Sequence, residues 1–170
     1  MSISGFIEDQ IGSIVDEWVE FARTKVPLPQ DFTREELADH AKVLLLAIAA
    51  DIRQEQGAQE KHDKSQGNDP DNAPEVTRMA RDHGAQRFDQ GFSLDHLVSE
   101  FRALRASVIR RWTKQIDQPR RDHLDDLTRF GEAMDQALSE SASLYARKVD
   151  DSRNLLLGVL GHDLVVGQSF

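Results

Sequence analysis

The sequence predicts an all-α fold, and three observations carry that expectation. Apolar residues recur at 3-4 spacing through most of the chain. No stretch of five residues alternates β-branched and polar side chains with the period of a strand. After Asp117-Gln-Pro119 the chain has no further proline, and Gly131 is its single glycine before Gly158.

The elements follow in order. Ile7, Ile11, Ile14, Trp18 and Phe21 form one stripe of a helix from about Ile3 to Lys25, and Pro27 and Pro29 end it. Thr33-Arg-Glu-Glu36 has the pattern of a capping box. It opens a second helix with Leu37, Ala41, Leu44, Leu45, Ile48 and Ile52 on one face. Gln56–Pro74 contains no Leu, Ile, Val or Phe, so it is expected to be a mobile loop. Pro74 suits the first turn of a third helix carrying Val76, Met79, Ala80 and His83. Gly91 should stop that helix with a positive φ, and Ser93 should cap the next. The buried face of that fourth helix is read as Leu94, Leu97, Val98, Phe101, Leu104, Val108 and Trp112.

The last helix is expected from Pro119 to Leu160, or ~63 Å at 1.5 Å per residue. A compact domain of this size has a diameter near ~40 Å, so the helix outruns its own domain. A 3-4 track runs along it from Leu124 through Met134, Ser141, Tyr145 and Lys148 to Ser152, Leu155 and Val159. Leu155, Leu156, Leu157, Val159 and Leu160 would stand in water on a lone helix. A second copy of the same helix is the simplest cover, which predicts a homodimer.

Composition narrows the function classes. The chain has 170 residues and 19.2 kDa, with 30 Asp and Glu against 21 Lys and Arg, a net charge of −9. Acidity argues against nucleic acid as a partner. Cysteine is absent, which excludes disulfides and thiolate chemistry and suits a cytoplasmic setting. The longest uncharged apolar run, Val43–Ala50, is far short of the ~20 residues that span a bilayer, and the N-terminus lacks a signal-peptide pattern, so no membrane partner is expected.

The catalytic inventory is thin, with no Gly-rich phosphate loop, His-Glu-x-x-His or nucleophile elbow. Asp122, Asp125 and Asp126 read as acids at a helix N-terminus rather than a metal site. Phe101–Arg121 holds Arg102, Arg105, Arg110, Arg111, Lys114, Arg120 and Arg121 against Asp117 alone; this reads as the outer face of an amphipathic helix neutralised by acidic neighbours. His62 and His123 are expected in solvent, and His96 lies off its stripe. His83 lies on an apolar stripe and His40 beside one. Such a histidine can serve haem, but a core imidazole with one local hydrogen-bond partner is the simpler reading, and no cofactor or metal is expected.

Two stretches resemble known families. Asp151-Ser-Arg-Asn-Leu-Leu-Leu-Gly-Val-Leu-Gly-His-Asp-Leu164 resembles the phosphoacceptor box of sensor histidine kinases. The resemblance implies that His162 is the phosphoacceptor, an imidazole nucleophile toward an ATP γ-phosphoryl, and that Asp163 accepts its ring proton. The chain then departs from the family: Val165-Val-Gly-Gln-Ser-Phe170 replaces Arg-x-Pro-Leu. It reads as the front end of a kinase, and by itself is expected to be catalytically inactive.

The segment from His83 to Trp112 is similar to the signature of the RsbRD N-terminal domain, a resemblance extending over roughly Ile3–Val149. It implies a globin-like helical bundle, dimeric and usually without haem, that serves as a signal-input module. The expected organisation is a globin-like sensory domain at 1–148 and the start of a kinase dimerisation and phosphoacceptor helix at 149–170. The expected function is the sensory and dimerisation segment of a cytoplasmic two-component sensor histidine kinase. Its partners would be a second copy and, through the parent kinase, a response regulator. A haem or small-ligand binding globin-like sensor and a stressosome-type interaction protein are the alternatives.

Overall fold

A computed structural model describes residues 1–25, 33–53 and 75–166, with the side chains of Lys25 and residues 161–166 excepted. The described residues form five helices: α1 Ile3–Lys25, α2 Arg34–Arg53, α3 Glu75–Asp89, α4 Leu94–Thr113 and α5 Arg121–Val166. The fold is an all-α bundle with a long helix projecting from it. The expected loop Gln56–Pro74, and Pro27 and Pro29, lie outside the described residues.

Each helix starts and stops for a local reason. At the head of α2 the Glu36 carboxylate accepts from the Thr33 backbone N–H at 3.0 Å, and Thr33 Oγ1 accepts from the Glu36 N–H at 3.2 Å. This reciprocal box satisfies two N–H groups that the helix leaves without partners. At the end of α3 the Phe92 N–H donates to the Arg87 carbonyl and the Gly91 N–H to the Phe88 carbonyl, both at 2.9 Å. That double closure needs a left-handed residue at position 91, and Gly91 has φ 77°. Ser93 then caps α4 by accepting from the His96 N–H at 3.2 Å.

The bundle closes around one core. α1 packs on α2 and α4, α2 also meets α3, and α5 runs along α3. Trp18, Trp112, Phe6 and Phe130 are its largest buried apolar side chains. The buried face of α1 is wider than its expected stripe, because Ile3, Phe6, Val15, Val19 and Ala22 are also enclosed. The face of α4 is narrower: Leu94 stands out in solvent, since it lies at the exposed first turn beside the Ser93 cap.

Two hydrogen bonds anchor the start of α1. The Ile3 N–H donates to Asp126 Oδ2 at 3.0 Å, so an acid of the 122–126 cluster caps α1 from across the bundle. Trp112 Nε1 donates to the Met1 carbonyl at 3.3 Å.

α5 has 46 residues. It starts two residues after Pro119 and continues six residues past Leu160. At 1.5 Å per residue it is ~69 Å long. Its 3-4 track changes surroundings partway. Met134 and Ser141 are buried against the bundle, whereas every residue from Val149 to Leu160 is exposed. The division expected after residue 148 falls inside this unbroken helix.

Candidate functional site

Charge lies at the centre of the bundle. Glu100 of α4 is 2% exposed, Arg87 of α3 is fully buried, and His83, one turn before Arg87, is 5% exposed. Arg87 Nε donates to Glu100 Oε2 at 2.9 Å, and His83 Nε2 lies 3.2 Å from the same oxygen. A carboxylate only accepts, so His83 Nε2 carries the proton in this pair. From α1, Trp18 Nε1 donates to the Glu100 carbonyl at 3.2 Å. The Phe101 ring closes one side of His83, edge to face at 5.6 Å.

The cluster is only partly satisfied. Glu100 Oε1 and His83 Nδ1 are buried with no hydrogen-bond partner among the described residues, and so is Nδ1 of His40 on α2. Buried polar groups normally find partners, so atoms such as these mark a site where polarity is kept at a cost. Burial by itself would push the Glu100 carboxyl up, but the hydrogen bond from His83 and the charge of Arg87 overcome it and hold the carboxyl below its ordinary range. Burial, with the nearby charges of Arg87 and His83, holds the His40 imidazole below its ordinary 6.5.

A chain of contacts leads from this cluster to α5. The Arg87 guanidinium lies over the Phe92 ring, 4.7 Å from its centroid, and its Nη1 donates to Gln90 Oε1 at 2.8 Å. The Phe92 carbonyl accepts from the Tyr145 hydroxyl at 2.7 Å. Tyr145 also meets the Phe88 ring edge to face at 5.5 Å. One turn on, Lys148 pairs with Asp89 at 2.8 Å. Closer to the middle of α5, Arg81 pairs with Glu140 at 2.7 Å, and Ser141 Oγ donates to the Ala80 carbonyl at 2.6 Å. Thus α3 grips α5 from Glu140 to Lys148, and the exposed stretch begins at the next residue.

The histidines fall into place around this arrangement. His83 is a core imidazole with Glu100 as its partner. The carboxylate occupies Nε2, the nitrogen an axial haem ligand ordinarily presents, so the residues around His83 do not fit that role. His96 lies edge-on to the Phe92 ring at 6.3 Å. His123, expected in solvent, is half-buried instead: Trp112 meets its ring at 5.5 Å, and its Nδ1 accepts from the Arg120 N–H at 3.2 Å. His62 lies outside the described residues. His162 and Asp163 lie on the backbone of α5, and their side chains are outside the described residues, so the expected exposure of His162 is as well.

The arginine-rich stretch meets acids from other helices. Glu17 of α1 pairs with Arg110 and Arg111, and Asp135 of α5 pairs with Arg105. Among the described residues no group of three or more His, Asp or Glu is placed to hold a metal ion. No described helix is long and apolar enough to cross a membrane.

The apolar stripe points to His83 but not to its partners, because charged residues ordinarily lie outside a core. Their spacing held the signal. Glu100 stands three residues after Leu97 and four before Leu104, and Arg87 four after His83, so both lie on apolar stripes.

No curated protein matches the chain, and no solved structure does. A family model does match, over residues 12–157: the RsbT co-antagonist protein rsbRD N-terminal domain. The match reaches into all five helices and includes the His83–Arg87–Glu100 cluster and the α3–α5 grip, and the chain therefore belongs to the RsbT co-antagonist protein rsbRD N-terminal domain family.

Proposed function

We propose that this chain is the signal-input and dimerisation segment of a two-component sensor histidine kinase, with α5 as its output helix. The carrying observation is the exposure of Leu155, Leu156, Leu157, Val159 and Leu160, each more than half exposed on a helix that has left its bundle. Apolar surface at that density needs a cover. In this reading a second copy pairs through Leu155, Leu156 and Val159, and a small rotation or shift of the two helices changes how His162 is presented as phosphoacceptor, with Asp163 accepting its proton. The family membership supports a regulatory input role.

The family's description, a co-antagonist of RsbT, favours a second reading, a stressosome-type interaction protein that needs no phosphoacceptor. Light scattering over a concentration series tests the first reading against it. A two-chain species that L156E/V159E weakens at least about tenfold supports the paired output helix, the substitutions placing charge in its seam. A monomer at every concentration sinks the dimer, and an assembly of many copies indifferent to these substitutions favours the second reading.

A further inference from the structure

We propose that the charge state of the buried Glu100–His83 pair is relayed to α5 through Arg87, Phe92 and the Tyr145 hydroxyl, making this route the regulatory coupling of the output helix. The inference rests on the reading of α5 as the output element.

The first support is the imbalance of the cluster. Both described donors converge on Glu100 Oε2, and Oε1 has no partner among the described residues. A proton on Glu100 removes the anion facing the fully buried Arg87. A proton on His83 Nδ1 adds a buried donor with no acceptor among the described residues. Either change alters the charges and donors that meet in a buried core, where such changes are most costly. The surrounding elements offer limited relief. α2 brings His40, whose neutral form is favoured by burial. α1 brings the Trp18 indole, already bonded to the Glu100 carbonyl. α5 brings Glu140 and Lys148, held by Arg81 and Asp89, and Tyr145.

The second support is the position of Arg87. Its side chain is held by Glu100 and covers Phe92, and its carbonyl takes the Phe92 N–H at 2.9 Å. A guanidinium that loses Glu100 therefore disturbs the residue whose side chain and backbone it fixes. Phe92 in turn accepts the Tyr145 hydroxyl at 2.7 Å. The route ends three residues before Lys148, the last grip on α5 ahead of the exposed stretch. A relay of packed and hydrogen-bonded groups counts as coupling only when both ends shift one equilibrium, and here that equilibrium is the docking of α5 on α3.

A double-mutant cycle read by hydrogen exchange of the intact chain tests this. Glu100→Gln stands in for the protonated carboxyl, and Tyr145→Phe removes the relay hydroxyl. Glu100→Gln should raise exchange of α5 residues 141–149 about tenfold in the Tyr145 background and less than about twofold with Tyr145→Phe, with α1 peptides serving as the measure of global loosening. Acidifying the wild-type chain, with rates corrected for intrinsic exchange, should reproduce the Glu100→Gln pattern. Equal effects in both backgrounds, or loosening of α1 and α5 in parallel, would overturn the relay. If Glu100→Gln does not fold, His83→Gln replaces it under the same criteria. Light scattering on the same samples separates the two proposals: a monomer that passes the cycle keeps the relay and loses the dimer.

Discussion

Gly84 of α3 lies against the backbone of Ser141 on α5 so closely that a Cβ on Gly84 would sit 2.1 Å from the Ser141 carbonyl oxygen and 2.7 Å from its carbonyl carbon. Backbone, unlike a flexible side chain, cannot turn away. The crossing is fixed on the other side by Ser141 Oγ, 2.6 Å from the Ala80 carbonyl. Gly84→Ala is therefore expected to push α5 off α3 and to cost about 2 kcal/mol, despite the better helix propensity of alanine. Urea denaturation checks this; an unchanged or raised midpoint would show that the crossing is looser than described.

Gly91→Val should lower stability by at least ~1 kcal/mol, because a β-branched side chain resists a positive φ. Nothing lies within 4 Å of a Cβ built there, so the cost comes from the backbone rather than from a clash. Gly91→Asn should recover part of it, since asparagine tolerates the left-handed region. Equal melting temperatures for the valine variant and the wild type would contradict the turn.

Stability should fall with acid in two separable steps. The folded His40 titrates below its ordinary 6.5, so the unfolded chain binds the proton first, and its contribution is lost as the pH drops below 6.5 toward the folded value. The Glu100 carboxyl is also depressed, from 4.5, so its contribution is intact above that pH and disappears as the pH falls through the lower folded value. His40→Gln should remove the first limb and keep the second. Glu100→Gln should remove the second and cost about 3 kcal/mol at neutral pH, because the buried Arg87 loses the carboxylate that its Nε faces. Urea midpoints from pH 8 to pH 3 read both limbs.

Glu17 receives Ser107 Oγ at 3.0 Å as well as Arg110 and Arg111, yet it is about one-third exposed. Solvent screens such pairs, so Glu17→Ala should cost no more than about 1 kcal/mol, with the difference shrinking in high salt. A salt-independent loss of several kcal/mol would mean that the α1–α4 seam depends on Glu17 packing rather than on charge.

What is settled within a turn or two of chain is legible along the sequence. The helices, the Thr33–Glu36 box, the Ser93 cap and the positive φ of Gly91 all depend on residues at most five apart, so their reasons can be read along the chain. The length of α5 was legible in the same way, because it needs only an uninterrupted helical run. Tertiary structure decided the rest. Arg87 and Glu100 lie inside because residues from α1, α3 and α4 meet there and supply each other's counter-charge and hydrogen bonds, and neither sequence neighbourhood contains that partner. Gly84 could be recognised as a crossing point only once Ser141, 57 positions away, was brought against it. One 3-4 track holds both Tyr145, docked on Phe92, and Leu155, in solvent; the period is the same, and what differs is how far α3 extends beside it.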